Sequence, residues 1–231
     1  MLVVMTKLPV AGKVKTRLMP ALSAEQAAGV HRAFVCHVLG RLHGLCPEAE
    51  LIVSFDPPGA LAAMRELLGA RIGLMAQSDG NLGQRLADAY RRLGSRRAVF
   101  LGVDSPDVPI EFIRRAIALV HDNDVVTGPC ADGGYWTLGL GESVDAESLL
   151  VHVEWSSGRE QAQTLARARE LGYRVAVADA WDDVDRPDDL RRLVQRLRSS
   201  HNAQDAQLLR QLEPLLPASL LPPRAQAGVE P

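Results

Sequence analysis

The stretch AVFLGVDSPD at residues 98–107 decides how this chain folds. Residues 98–103 carry no charge, so they read as a short strand buried on both faces. The run stops at Asp104. In an open α/β sheet, ligands gather beyond the carboxyl ends of the strands. A carboxylate at that point is therefore a candidate for chemistry as well as for structure.

The same alternation extends outward. Upstream, residues 2–5, 51–55 and 72–75 are apolar runs that read as strands. Ser23 and Gln26 form a capping-box pattern, and Val30, Phe34, Val38 and Leu42 then recur every four residues as the stripe of an amphipathic helix. Further helices are expected over residues 60–68 and 83–93. Downstream, a helix over 109–121 precedes a strand over 124–127. Residues 135–140 alternate as an antiparallel strand would, and 149–154 read as another. Ser157 and Glu160 repeat the capping pattern and open a helix, residues 173–178 form a last strand, and Pro187 suits the first turn of a closing helix. This order predicts a Rossmann-like α/β domain over residues 1–198, with a mostly parallel sheet, helices on both faces and a small antiparallel part in the second half. Residues 199–231, a short helix followed by a Pro-rich end, read as a loosely attached extension.

Composition narrows the function classes. A net charge of −2 gives no general attraction to nucleic acid or membrane, so any anion site must be local. Cys36, Cys46 and Cys130 are too few and too scattered for a disulfide framework or a Cys-x-x-Cys zinc site. The apolar opening meets Lys7 and Pro9 too soon for a signal peptide, and no run is long enough to span a bilayer. A cytoplasmic protein is expected. His31, His37 and His43 are spaced six apart, which scatters them around a helix, so they read as surface or packing residues.

Four segments follow strands and carry the chemistry. In the first, Lys7 precedes a loop in which Gly12 is followed by Lys13, Lys15 and Arg17 at every second position. On an extended loop these cations lie on one side, where backbone N–H groups and positive charge suit a phosphate chain. It is not a Walker A loop, and a solvated basic turn is the plain alternative. In the second, Asp104 is placed to hold Mg²⁺ together with substrate phosphates, whereas Asp107 is expected to cap the next helix. In the third, Asp132, Gly133 and Gly134 allow close backbone approach to a ligand, although a turn explains them equally well. In the fourth, five carboxylates from Asp182 to Asp189 either favour a helix dipole or supply Asp185 as a second metal ligand.

Taken together, Lys7 to Leu18, Gln77 to Leu86, Asp104 to Asp107, Asp132 to Leu140 and Trp155-Ser156 resemble the nucleotide-diphospho-sugar transferases of the GT-A fold. More narrowly, they are similar to a bacterial glycosyltransferase-like family that carries an arsenosugar-biosynthesis label and is related to 2-phospholactate guanylyltransferases. The resemblance covers about residues 1–198. It implies phosphate contacts for Lys13, Lys15 and Arg17, a metal-binding role for Asp104, and nucleotide contacts near Gln84 and Arg85. It also aligns Asp185 with the late metal carboxylate of CMP-KDO synthetases, with Arg186 standing where a helix-capping Thr is usual.

Three readings follow. One is a glycosyltransferase using a nucleotide-diphospho-sugar, Mg²⁺ or Mn²⁺, and a small acceptor held near Asp132, Gly133 and Gly134. The second is a nucleotidylyltransferase that joins a nucleoside triphosphate to a phosphorylated substrate and releases pyrophosphate. The third is a non-catalytic nucleotide-binding protein. In either enzyme, Lys13, Lys15 and Asp104 act by positioning and charge stabilisation.

Overall fold

The computed structural model describes residues 1–45 and 50–221; Cys46 and the final stretch of the Pro-rich end lie outside the described residues. Residue contacts divide the chain into two compact units, Met1–Leu8 with Phe34–Asp183, and Pro9–Ala33 with Val184–Pro231.

The first unit contains a seven-stranded sheet. Its strands are β1 (Leu2–Lys7), β2 (Leu51–Asp56), β3 (Gly73–Ala76), β4 (Ala98–Gly102), β5 (Val125–Pro129), β6 (Tyr135–Leu140) and β7 (Val175–Val177), in the order β3-β2-β1-β4-β6-β5-β7. All neighbours are parallel except β6, which runs antiparallel to both β4 and β5. The expected mostly parallel sheet with an antiparallel insertion is therefore present.

Alternation along the central strands builds two apolar layers. Leu2, Val4, Val99 and Leu101 enter one core with Met64 of α2 (Leu61–Leu68), Ile113 of α4 (Ile110–Asp122) and the end of α1 (Ala24–His43). Val3, Ala98 and Phe100 point the other way, into a core with Leu86 and Tyr90 of α3 (Leu82–Arg92), Leu149 of α5 (Ala146–Leu150) and Ala168 of α6 (Glu160–Glu170). Burial on both faces explains why these strands read as unbroken apolar runs.

Two local expectations are corrected. Residues 149–154 are not a strand: Asp145 accepts a hydrogen bond from the Ser148 amide at 3.0 Å and starts α5, in which Leu149 and Leu150 are both buried, as helical spacing allows. Asp107 does not cap α4. The helix opens at Pro109 without a side-chain cap, and Asp107 Oδ1 instead accepts the Trp181 indole N–H at 3.2 Å. Asp107 stands two residues before the cap position and belongs to the loop.

In the second unit, the basic loop precedes the first part of α1, and α7 (Pro187–Ser199) and α8 (Ala203–Leu212) follow. Residues read from composition as an appendage carry a row of leucines at four-residue spacing, Leu208, Leu212, Leu216 and Leu220, all buried. Leu215 lies where a Cβ on Gly29 would come within 3.0 Å of it. Glycine at that position thus permits the close approach of the C-terminal segment to α1.

Asp124 joins the starts of β5 and β7. Its carboxylate accepts the Arg174 amide at 2.8 Å and the Arg174 guanidinium at 3.3 Å. The Arg174 side-chain and backbone hydrogen bonds hold the Asp124 pKa below the ordinary carboxylate value. A depressed folded-state pKa gives stabilisation that is present above the unfolded value, about 3.9, and is lost as pH falls through the folded value. Asp124→Asn is therefore expected to lower the melting temperature near neutral pH and to change it little in strong acid. Equal destabilisation at both pH values in thermal denaturation contradicts this role.

Candidate functional site

Within the first unit, the parallel strands end in a row of polar residues. β1 pairs with β2 on one side and β4 on the other, so the strand order reverses there and the carboxyl ends of β1 and β4 flank the switch point. Lys7, exposed, closes β1, and half-buried Asp104 follows β4.

The loop bearing Asp104 is held from two sides. The buried Arg41 of α1 reaches it with both arms of its guanidinium, donating to the carbonyls of Pro106 at 2.7 Å and Val108 at 2.6 Å. Trp181 holds Asp107, packs edge-on against Phe112 of α4, and donates its amide to the Pro129 carbonyl at 3.0 Å. Sequence reasoning missed both residues. Arg41 lies on the helix beside the apolar Leu42 position, and its partners are more than sixty residues away.

Arg85 and Gln84 have structural partners. Arg85 Nη1 lies 3.3 Å from Asp56 Oδ1 and 3.0 Å from Gln77 Oε1, and its Nε donates to the Gly80 carbonyl at 3.0 Å. Gln77 in turn donates to Ser54 O at 2.8 Å and Thr6 O at 3.3 Å. Arg85 and Gln77 together thus tie the loop after β3 to the ends of β1 and β2. Gln84 forms a capping box with Asn81, accepting its amide at 2.9 Å and returning its own amide at 3.0 Å.

The Asp132–Gly134 segment is a tight turn between β5 and β6. Asp132 Oδ1 accepts the Gly134 amide at 2.9 Å, and Gly133 has φ +88°. A Cβ on Gly133 would stand 1.8 Å from the Gly158 carbonyl oxygen, so packing against the start of α6 alone requires glycine there. Nearby, Ala131 N donates to Asp182 Oδ1 at 3.1 Å.

In the second unit the structure brings Lys15, Arg17 and Asp185 together. Gly12 makes a left-handed turn at φ +74°, and Lys15 makes another at φ +46° before a 3-10 turn, Thr16–Leu18. Val14 and Leu18 are buried, which anchors the loop and leaves Lys13 exposed. The Lys15 side chain is only 4% exposed, and its ammonium donates to Val184 O at 2.6 Å and to Asp185 Oδ1 at 3.2 Å. Arg17, 59% exposed, donates to Asp185 Oδ2 at 2.8 Å. Each oxygen of Asp185 therefore has a cation. The Asp189 carboxylate accepts the amides of Asp185 at 3.1 Å and Arg186 at 2.7 Å, the returning half of a capping box at the start of α7.

Asp104 belongs to the first unit and Asp185 to the second. Among the described residues no group of three or more His, Cys, Asp or Glu side chains is arranged to hold a metal ion. The donor chemistry at Asp104 nevertheless fits Mg²⁺ or Mn²⁺ carried by a nucleotide, because such ions use one or two carboxylates, phosphate oxygens and water rather than an all-protein cage.

Cys130 lies just before the Asp132–Gly134 turn. Burial first, and then the negative charges of Asp183, Asp132 and Asp182, push its thiol pKa far up. The thiolate fraction at mildly alkaline pH is then negligible. Iodoacetamide at about pH 8, where a free thiol of pKa about 8.5 reacts readily, is expected to modify the exposed Cys36 well before Cys130. Peptide mapping that finds Cys130 alkylated first contradicts this assignment.

Comparison with known proteins bears on the fold. Residues 43–157, just under half of the chain, match the family described as "Uncharacterized protein conserved in bacteria (DUF2064)". No curated protein matches significantly. A candidate nucleotide-diphospho-sugar transferase from Desulfovibrio desulfuricans G20 shares 29% identity over 93% of this chain and 95% of its own, with a TM-score of 0.82. A cytidylyltransferase from Leptospira borgpetersenii serovar Hardjo-bovis superposes with a TM-score of 0.58 at 13% identity, covering 90% and 91% of the two chains. Rv0371c of Mycobacterium tuberculosis H37Rv, solved with manganese, gives 0.52 at 20% identity over 84% and 97%. The chain thus has the fold of nucleotide-sugar transferases and nucleotidyltransferases, and its residues 43–157 are similar to the DUF2064 family.

Proposed function

We propose that this protein is a metal-dependent transferase that takes its donor from a nucleotide-diphospho-sugar. The observation that carries this reading is the likeness to the Desulfovibrio protein along nearly the whole chain, at 29% identity and a TM-score of 0.82. Asp104 is assigned to the metal. Lys7, Gly12, Lys13, Lys15 and Arg17 are assigned to the phosphate chain, where positive charge stabilises the leaving diphosphate as it develops. Lys13 and Lys15 contribute to catalysis in this way. Asp132, Gly133 and Gly134 are assigned to the acceptor, and Gln84 and Arg85 to the nucleotide. Arg85 acts there by holding the loop after β3, given its three partners. Bound Mg²⁺ or Mn²⁺ supplies charge neutralisation for the phosphates.

A second reading, nucleotidylyl transfer with release of pyrophosphate, draws on a different observation. The basic loop follows β1 directly and offers three cations, Lys13, Lys15 and Arg17, which suits a triphosphate and its leaving pyrophosphate. The Leptospira cytidylyltransferase shares the fold. The two readings differ in products: a nucleoside diphosphate and a glycosylated acceptor in one, pyrophosphate and an activated nucleotide product in the other. Chromatography and ³¹P NMR of reactions with nucleotide-sugars or nucleoside triphosphates separate them. In either case Asp104→Ala is expected to reduce turnover by about 10²–10³-fold, the scale seen when one charge-stabilising group is removed. Undiminished turnover in a folded Asp104→Ala protein removes Asp104 from the mechanism.

A further inference from the structure

The second unit contains an ion-pair arrangement that a transferase reading does not by itself require. Two of the three loop cations are already matched, atom for atom, by one carboxylate. Lys15 Nζ lies 3.2 Å from Asp185 Oδ1, and Arg17 Nη1 lies 2.8 Å from Asp185 Oδ2. Lys13 is exposed, and no ion pair or side-chain hydrogen bond to it is found among the described residues.

Burial explains why the carboxylate is there. A lysine whose side chain is 4% exposed carries an ammonium that is costly to desolvate unless it is paired and hydrogen-bonded. The Val184 carbonyl supplies one bond at 2.6 Å, and Asp185 supplies the charge. The Asp185 side chain is itself 28% exposed, so water and solutes reach it. Its backbone is fixed separately, because Asp189 accepts the amides of both Asp185 and Arg186. The carboxylate can therefore rotate away without unwinding the start of α7. Two planar oxygens each facing one cation also form the pattern that a phosphate group offers to Lys and Arg.

We propose that Asp185 is an internal substitute for phosphate. It holds Lys15 and Arg17 in place while the loop is empty and yields them to an incoming phosphate chain. This inference rests on the assignment of the loop to phosphate. The exchange sets selectivity. An arriving ligand must outcompete a tethered carboxylate, whose effective concentration is high. A single small anion such as sulfate, which meets Lys13 alone, does not achieve this, whereas a chain of two or more phosphates engages Lys13, Lys15 and Arg17 together. Once displaced, Asp185 is an anion without its cations. Ligands that carry their own divalent cation are therefore favoured over bare ones.

The test uses inorganic pyrophosphate and the full chain, by isothermal titration calorimetry with and without Mg²⁺. Wild-type protein is expected to bind bare pyrophosphate weakly and Mg²⁺-pyrophosphate about tenfold more tightly, while inorganic sulfate does not bind. Asp185→Asn keeps the side-chain shape and removes the competing charge. It is expected to bind bare pyrophosphate about tenfold more tightly than wild type, a change of about 1.4 kcal/mol, and to gain little from Mg²⁺. Unchanged or weaker metal-free binding by Asp185→Asn overturns the exchange.

If Asp185→Asn does not fold, NMR of the wild-type Arg17 guanidinium gives a second readout, with the signal assigned by Arg17→Gln. Pyrophosphate is expected to shift that signal, and a signal that stays fixed at saturation overturns the proposal. Pyrophosphate binding with Asp185 inert defeats the exchange and leaves the transferase reading intact. Failure of wild type to bind pyrophosphate or any nucleotide, with or without Mg²⁺, defeats both.

Discussion

Burial of β1 and β4 on both faces is the constraint from which the rest of the first unit follows. Val3 and Val4 point into opposite cores, as do Phe100 and Leu101, so helices must cover each face. Strands with no solvent face carry buried hydroxyls such as Thr6 and Thr137 but no charge along their length. The first positions at which this chain can place charge beside them are the strand ends, and Lys7 and Asp104 stand there. The reversal of strand order between β1 and β4 opens the sheet edge at the same point. Architecture and chemistry therefore share a cause: the apolar run that makes the strand also pushes the carboxylate to its end.

The loops beyond those ends are fixed by a small number of long-reaching polar side chains. Arg41, Arg85 and Trp181 each bridge several segments, and each donates to backbone carbonyls or to carboxylates of the loops. Such donors leave few buried carbonyls unsatisfied where the sheet hydrogen bonds run out. They also leave the acidic residues at the strand ends in defined positions. In the second unit the same principle takes the form of an ion-pair triad, in which one aspartate pairs with a buried lysine and an exposed arginine.

The sequence made the strands legible because their signal is local. Residues 98–103 nearly coincide with β4, and alternation over 135–140 identifies β6 as the antiparallel strand. Where the reading failed, the deciding interactions were distant in sequence or short in extent. Asp107 resembles a helix cap on spacing alone, yet its partner Trp181 lies 74 residues away. Nothing in the basic loop announces that Lys15 pairs with a carboxylate 170 residues on. α5 is too short to show a helical period, so Leu149, Val151 and Val153 mimicked a strand. The leucine row from Leu208 to Leu220 was obscured by the prolines among which it sits. Of the site, the glycines were the most ambiguous: Gly133 is demanded by its φ and by Gly158, whatever it binds.

A nucleotide-dependent transferase that works with a divalent metal is the function we propose. A thermal-shift panel tests it most directly, using nucleoside triphosphates, nucleoside diphosphates and nucleotide-sugars, each with and without Mg²⁺ or Mn²⁺. A ligand that binds only the folded state raises the melting temperature by mass action, by an amount set by RT ln(1 + [L]/Kd). Stabilisation by one nucleotide class, larger with the metal than without it, is expected. A melting temperature that no nucleotide shifts, in the presence of either metal, contradicts it.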